Sequence, residues 1–121
     1  VYDALGYENH GGKYKADVAQ IAKDVHRCHP NDPLVSSFEG RLKMYRILKR
    51  WMVLNGELCY SQGLDSVCAP LLKLFWDDEA SACYCLDKII KRHLEQFLIK
   101  NVSLELQMKP FLLTFEKLLV F

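Results

Sequence analysis

Two short stretches of this sequence carry side chains whose types and spacing could do chemistry. The first is Ile21-Ala22-Lys23-Asp24-Val25-His26-Arg27, in which an acid precedes an arginine by three residues. On a helix such a pair are neighbours, so Asp24 lies within reach of Arg27. Arginine is always charged, planar and able to make forked hydrogen bonds, which suits it to phosphate oxygens better than lysine. The bland alternative is a surface ion pair, worth about 0.3–0.5 kcal/mol. The second stretch is Tyr60-Ser61-Gln62-Gly63, at the mouth of an apolar helix. Helix entries use Ser, Asp or Asn, whose short side chains reach back to free N–H groups. Gln is too long for that task, so Gln62 is either a surface loop residue or held for another purpose.

Other candidate sites fail on spacing. Gly6 and Gly11 have the separation of a phosphate-binding loop, but Gly12 displaces the lysine and Tyr14 follows Lys13. No strand signal precedes them, as that loop requires. His26, Cys28 and His29 fit no standard zinc pattern and lack a second Cys/His pair nearby, so no metal is expected. The five cysteines, Cys28, Cys59, Cys68, Cys83 and Cys85, are odd in number and scattered through helical patterns. This argues for a reducing compartment and against a disulfide framework. Cys59 and Cys68 read as small core residues, and His93 as a core or boundary histidine beside an apolar stripe.

The elements that must position the two stretches are helices. The chain has 121 residues, half of them hydrophobic, enough for one domain with one core. A net charge of +1 gives no support for a nucleic-acid or polybasic membrane binder. Neither an apolar run long enough to span a membrane nor a signal peptide is visible. The chain does not start with Met, and it is expected to be part of a longer protein. Residues 1–12 read as a loop or the remnant of an upstream element. Tyr14, Val18, Ile21 and Val25 mark a first helix from about Lys13 to Arg27. His29-Pro30-Asn31-Asp32-Pro33 breaks it, placing Arg27 at a helix end beside a mobile loop.

Ser36 with Glu39 matches a capping box for a second helix, which runs to Leu54 and stops at Asn55-Gly56. Its apolar face holds Met44, Tyr45, Leu48, Trp51 and Met52. Lys43, Arg46 and Arg50 lie opposite, as a solvated stripe or one that steers an acidic partner surface. The third helix, from about Leu64 to Phe75, is apolar almost all round and so is expected to be buried. Asp65-Ser66 is expected to cap it, and Pro70 either kinks it or starts a new turn. Asp77-Asp78-Glu79 opens a fourth helix to about Lys100. A fifth runs from about residue 101 towards Val120, with Pro110 as a kink, and the chain ends on an apolar surface.

Together the two stretches resemble the signature of the TBC domain, the GTPase-activating domain that acts on Rab-type small GTPases. The resemblance covers about Ala16 to Phe121 and includes Asp24-Val25-His26-Arg27-Cys28-His29, Trp51, Tyr60-Ser61-Gln62-Gly63-Leu64-Asp65-Ser66 and Ala69-Pro70. It is strongest to the TBC domains of TBC-domain-containing, protein-kinase-like proteins. It implies an all-α multi-helix bundle over 1–121, the N-terminal catalytic part of a TBC domain. The family's opening Arg/Trp segment is not recognisable here, and its C-terminal helices lie beyond this sequence.

The resemblance also implies roles. Arg27 and Gln62 would be the catalytic arginine and glutamine fingers, supplied in trans to a Rab. Asp24 would position Arg27, while Tyr60 and Gly63 would shape the turn presenting Gln62. GTP and magnesium would belong to the partner GTPase, with no cofactor on this chain. The setting would be cytoplasmic, at endomembranes through the Rab. Two competing readings are a TBC-like interaction domain that binds without accelerating hydrolysis, and a helical scaffold in which both motifs are coincidental. The last predicts Arg27 and Gln62 far apart.

Overall fold

A computed structural model describes residues 13–55 and 60–94. Four α-helices follow in order: α1 (Lys13–Arg27), α2 (Phe38–Leu54), α3 (Leu64–Leu74) and α4 (Glu79–Ile89). A π-helical turn, Ile90–Leu94, extends α4. No strand occurs among the described residues. The expected all-α class is therefore what the chain forms. Residues 1–12, Gly56–Cys59 and the predicted fifth helix lie outside the described residues.

The apolar spacing explains the packing. Helix α2 lies at the centre, against α1, α3 and α4, and α3 also packs on α4. Its Met44, Ile47, Leu48, Trp51 and Met52 are fully buried with Ile21 of α1, Leu64 and Leu72 of α3, and Leu86 of α4. Removing a large core side chain such as Trp51 costs about 3–5 kcal/mol through lost transfer energy and a cavity. Helix α3 is buried along most of its length, as its apolar sequence requires, and it passes through Pro70 to end at Leu74.

Several local expectations shift. The cap of α2 is Ser37 and not Ser36: its Oγ accepts from Gly40 N at 3.0 Å. Gly40 is needed there because a Cβ would collide with the Leu34 carbonyl oxygen and lie 2.9 Å from that of Val35. Asp65 does not cap α3 in the usual sense; the N-cap is Gly63, without a side-chain bond. Asp78 caps α4 by accepting from Ser81 N at 3.1 Å. Lys43 is not on a solvated stripe. It is 8% exposed, donates to the Trp76 carbonyl at 2.9 Å and sits 5.0 Å from the Trp76 ring centre. A lysine can bury its stem and satisfy its ammonium in this way. His93 is exposed, because the π-helical turn carries it off the buried face that Ile90 and Leu94 occupy.

The loop after α1 is more tightly held than a run of breakers suggests. His29 takes a left-handed φ of 41° and ends the helix. Asp32 then accepts from the amides of Leu34 and Val35 at 2.9 and 3.1 Å, and its second oxygen meets Lys73 of α3 at 2.8 Å. The loop is thus anchored to α3, which fixes the direction in which α1 ends.

Candidate functional site

Arg27 is the last residue of α1, so its side chain leaves the helix at a free end. The guanidinium is 57% exposed, while Asp24, one turn earlier, is 1% exposed. This is not a surface ion pair: the acid is a buried hub. Its Oδ1 accepts from Arg27 Nη2 at 2.8 Å and from Gln20 Nε2 at 2.9 Å. Its Oδ2 accepts from the Tyr60 hydroxyl at 2.7 Å. A buried carboxylate must be paired and hydrogen-bonded to stay charged, and here each donor satisfies a separate lone pair. Tyr60 is itself buried, and burial pushes its phenol far up, with the Asp65 and Asp24 carboxylates adding to the effect. It therefore remains a donor.

The chain then turns within three residues. Leu64 N donates to the Ser61 carbonyl at 3.2 Å, closing a four-residue turn with Gln62 and Gly63 at its corners. Gly63 has φ 110° and ψ −19°, and Gln62 is not among the residues with positive φ. This combination defines a type II turn, whose third position needs a positive φ and hence glycine. A side chain at Gly63 would cost about 1–2 kcal/mol of backbone strain. Gln62, at the first corner, is exposed. The Tyr60–Asp24 bond thus ties the residue two before Gln62 to the residue three before Arg27. Asp24, Tyr60 and Arg27 are brought together directly, and Gly63 supplies the turn in which Gln62 stands two residues after Tyr60.

Three participants were not assigned to the site by sequence reasoning. Gln20 sits one turn before Asp24, a spacing at which Gln–Asp pairs are common. The Cys28 thiol lies close to the Asp65 carboxylate, and Asp65 Oδ1 accepts from Gly63 N at 3.2 Å. Burial raises the Asp65 carboxyl above its usual range and the Asp24 carboxylate adds to this, while the Cys28 and Gly63 donors act the other way. Burial also pushes the Cys28 thiol up, so it is a proton donor and not a nucleophile. Among the described residues no group of three or more His, Cys, Asp or Glu side chains is placed to hold a metal. None of the described helices is long and apolar enough to cross a membrane.

A helical fold with a buried acid serving an exposed arginine, beside a glycine turn offering glutamine, defines a protein class. The Rab-GTPase-TBC domain family model matches residues 3–121, and the chain belongs to that family. Among curated proteins it is 42% identical to the human TBC domain-containing protein kinase-like protein, over 84% of this chain and 11% of that protein. A protein of the same description from Dictyostelium discoideum is 37% identical over 68% of this chain and 8% of its own length. The Caenorhabditis elegans Rab GTPase-activating protein tbc-8 is 31% identical over 69% of this chain and 9% of its own length. The chain thus spans about a tenth of the length of the curated relatives it matches. No solved structure is a significant match.

Proposed function

We propose that this chain is the finger-bearing part of a GTPase-activating domain that accelerates GTP hydrolysis on a Rab-family GTPase. The supporting observation is the Asp24 hub, which fixes the base of Arg27 while leaving its guanidinium exposed. Small GTPases are slow because charge on the transferred phosphoryl is poorly stabilised and the attacking water is poorly held. In this reading Arg27 keeps one N–H on Asp24 and directs the others to the β/γ-phosphate oxygens. Gln62 orients the water from the turn corner. Tyr60 and Gly63 hold that corner at a set height above the α1 end. GTP and magnesium stay with the Rab, and the work is done in the cytoplasm wherever the Rab is membrane-bound.

Rigid support matters because a displacement of about 1 Å can cost about a hundredfold in rate. One observation favours a second reading, an interaction domain that binds a GTPase or scaffold without accelerating it. The Arg27 guanidinium is already bonded to Asp24 at 2.8 Å, and a pair that cannot share its donors would leave the finger idle.

The test is single-turnover GTP hydrolysis across a panel of purified Rabs, using the full chain with wild-type, Arg27→Ala and Gln62→Ala forms. Acceleration of one or a few Rabs that is lost in both variants is the expected result. Binding of a GTP-loaded Rab without acceleration would instead establish the interaction domain.

A further inference from the structure

Two acids lace the end of α1 to the glutamine turn, and the roles above use only one of them. Asp24 belongs to α1 and reaches across to Tyr60. Asp65 belongs to α3 and lies close to Cys28, the residue after Arg27. The same Asp65 carboxylate accepts from Gly63 N at 3.2 Å. That N–H belongs to the peptide between Gln62 and Gly63, the central peptide of the type II turn. Types I and II differ chiefly in which way this peptide faces. An acceptor on its N–H therefore selects the facing, and with it the direction in which the Gln62 side chain leaves the corner.

Asp65 is buried with Asp24 nearby, an arrangement that costs energy for a carboxylate unless donors compensate. Its hydrogen-bond donor is the Gly63 amide, next to Gln62, and the Cys28 thiol, next to Arg27, lies close by. A purely structural cap would need only the amides of its own helix.

Resting on the finger reading above, we propose that Asp65 is a positioning residue for the glutamine finger, holding the Gln62–Gly63 peptide in its type II facing beside the end of α1. It touches neither nucleotide nor water. It acts through the turn, so its loss changes the saturated rate of hydrolysis and not the affinity for the Rab.

The experiment compares wild-type, Asp65→Ala and Asp65→Asn forms of the full chain by two measurements. Amide hydrogen exchange over residues 60–66 reads the turn itself. Single-turnover hydrolysis against increasing concentration of the responsive Rab separates the saturated rate from the half-saturating concentration. Asp65→Ala is expected to speed exchange at the turn by about tenfold, the loss of one charge-assisted hydrogen bond, with α2 and α4 unchanged. It is expected to lower the saturated rate by about tenfold to a hundredfold. The half-saturating concentration should move by less than about twofold. Asp65→Asn keeps an accepting oxygen and should restore most of both.

Unchanged exchange, a shift in half-saturation alone, or an Asn form no better than Ala overturns the role of Asp65. Should Asp65→Ala lose its helical circular dichroism, Asp65→Glu takes its place under the same expectations, since it keeps the charge but moves the oxygen. A wild-type protein that binds Rabs and accelerates none overturns the finger reading itself. Unchanged exchange in a protein that does accelerate overturns only the assignment of Asp65.

Discussion

Asp24 and Asp87 each accept from three side chains, yet they do different work. Asp87 of α4 takes Trp51 Nε1 at 3.1 Å, Asn55 Nδ2 at 3.2 Å and the Lys91 ammonium at 3.2 Å. Trp51 and Asn55 are buried residues at the end of α2, and Asn55 Nδ2 also donates to the Trp51 carbonyl. The result is a clamp between two helices, and all four residues also line a pocket of about 280 Å³. Asp24 gathers its donors from one helix and one turn, and one of them is a guanidinium left mostly in solvent. The Asp87 knot ties two helices together, while the Asp24 knot braces the base of an arginine whose guanidinium is more than half exposed.

The sharpest way to break this contrast is Arg27→Ala. It is expected to lower the GTPase-activating rate by about 10³-fold or more. The folding stability should fall by about 1–2 kcal/mol, because the buried Asp24 carboxylate loses one donor while keeping Gln20 and Tyr60. Single-turnover hydrolysis and denaturant melts check the two halves. Asp87→Ala should do the reverse. Stranding the Trp51 and Asn55 donors is expected to cost about 2–3 kcal/mol in the melt, while the folded fraction keeps its saturated rate. A large rate loss there would erase the distinction between the knots.

Tyr60→Phe lies between the two. It removes one bond to the buried carboxylate and is expected to cost about 1–2 kcal/mol. It should also lower the hydrolysis rate by about tenfold through looser placement of the turn.

The smallest expected effect is a pH slope. Burial and Asp24 raise the Asp65 carboxyl above its ordinary value of 3.8, so the native state holds that proton more tightly than the unfolded chain. The contribution of Asp65 to stability is then fully present below that ordinary value and is lost as pH rises through the raised one. Glu79 runs the opposite way, since its hydrogen bond to Arg46 lowers its carboxyl and its contribution is lost as pH falls. Asp65→Asn should therefore gain stability relative to wild type as pH rises above that ordinary value, measured by melts across a series of pH values. A difference that stays flat over that series would show that Asp65 titrates alike in both states.

Much of this was legible in the chain itself. The stripe of Tyr14, Val18, Ile21 and Val25 gave α1 its observed bounds, because helical periodicity and a proline-rich stop are local signals. The same holds for α2 and α3 to within a residue or two. Arg27, Asp24, Tyr60, Gln62 and Gly63 were all singled out, with their roles supplied by the resemblance to the TBC signature. The π-helical turn at Ile90 was not legible, since no proline or glycine marks it, and the expected end near Lys100 lies outside the described residues. The burial of Lys43 was likewise hidden, because it depends on the Trp76 carbonyl far along the chain.

What the sequence determined by itself was the helical class, the two motifs and their order, all set by interactions within a few residues. What only the tertiary structure decided was that Asp24 is buried and not a surface partner, that Tyr60 is its donor, and that Asp65 faces Cys28. These contacts join residues more than thirty positions apart. Whether a carboxylate is a weak surface charge or a rigid hub depends on its solvent and its donors. Both are set by how α1 and α3 come together.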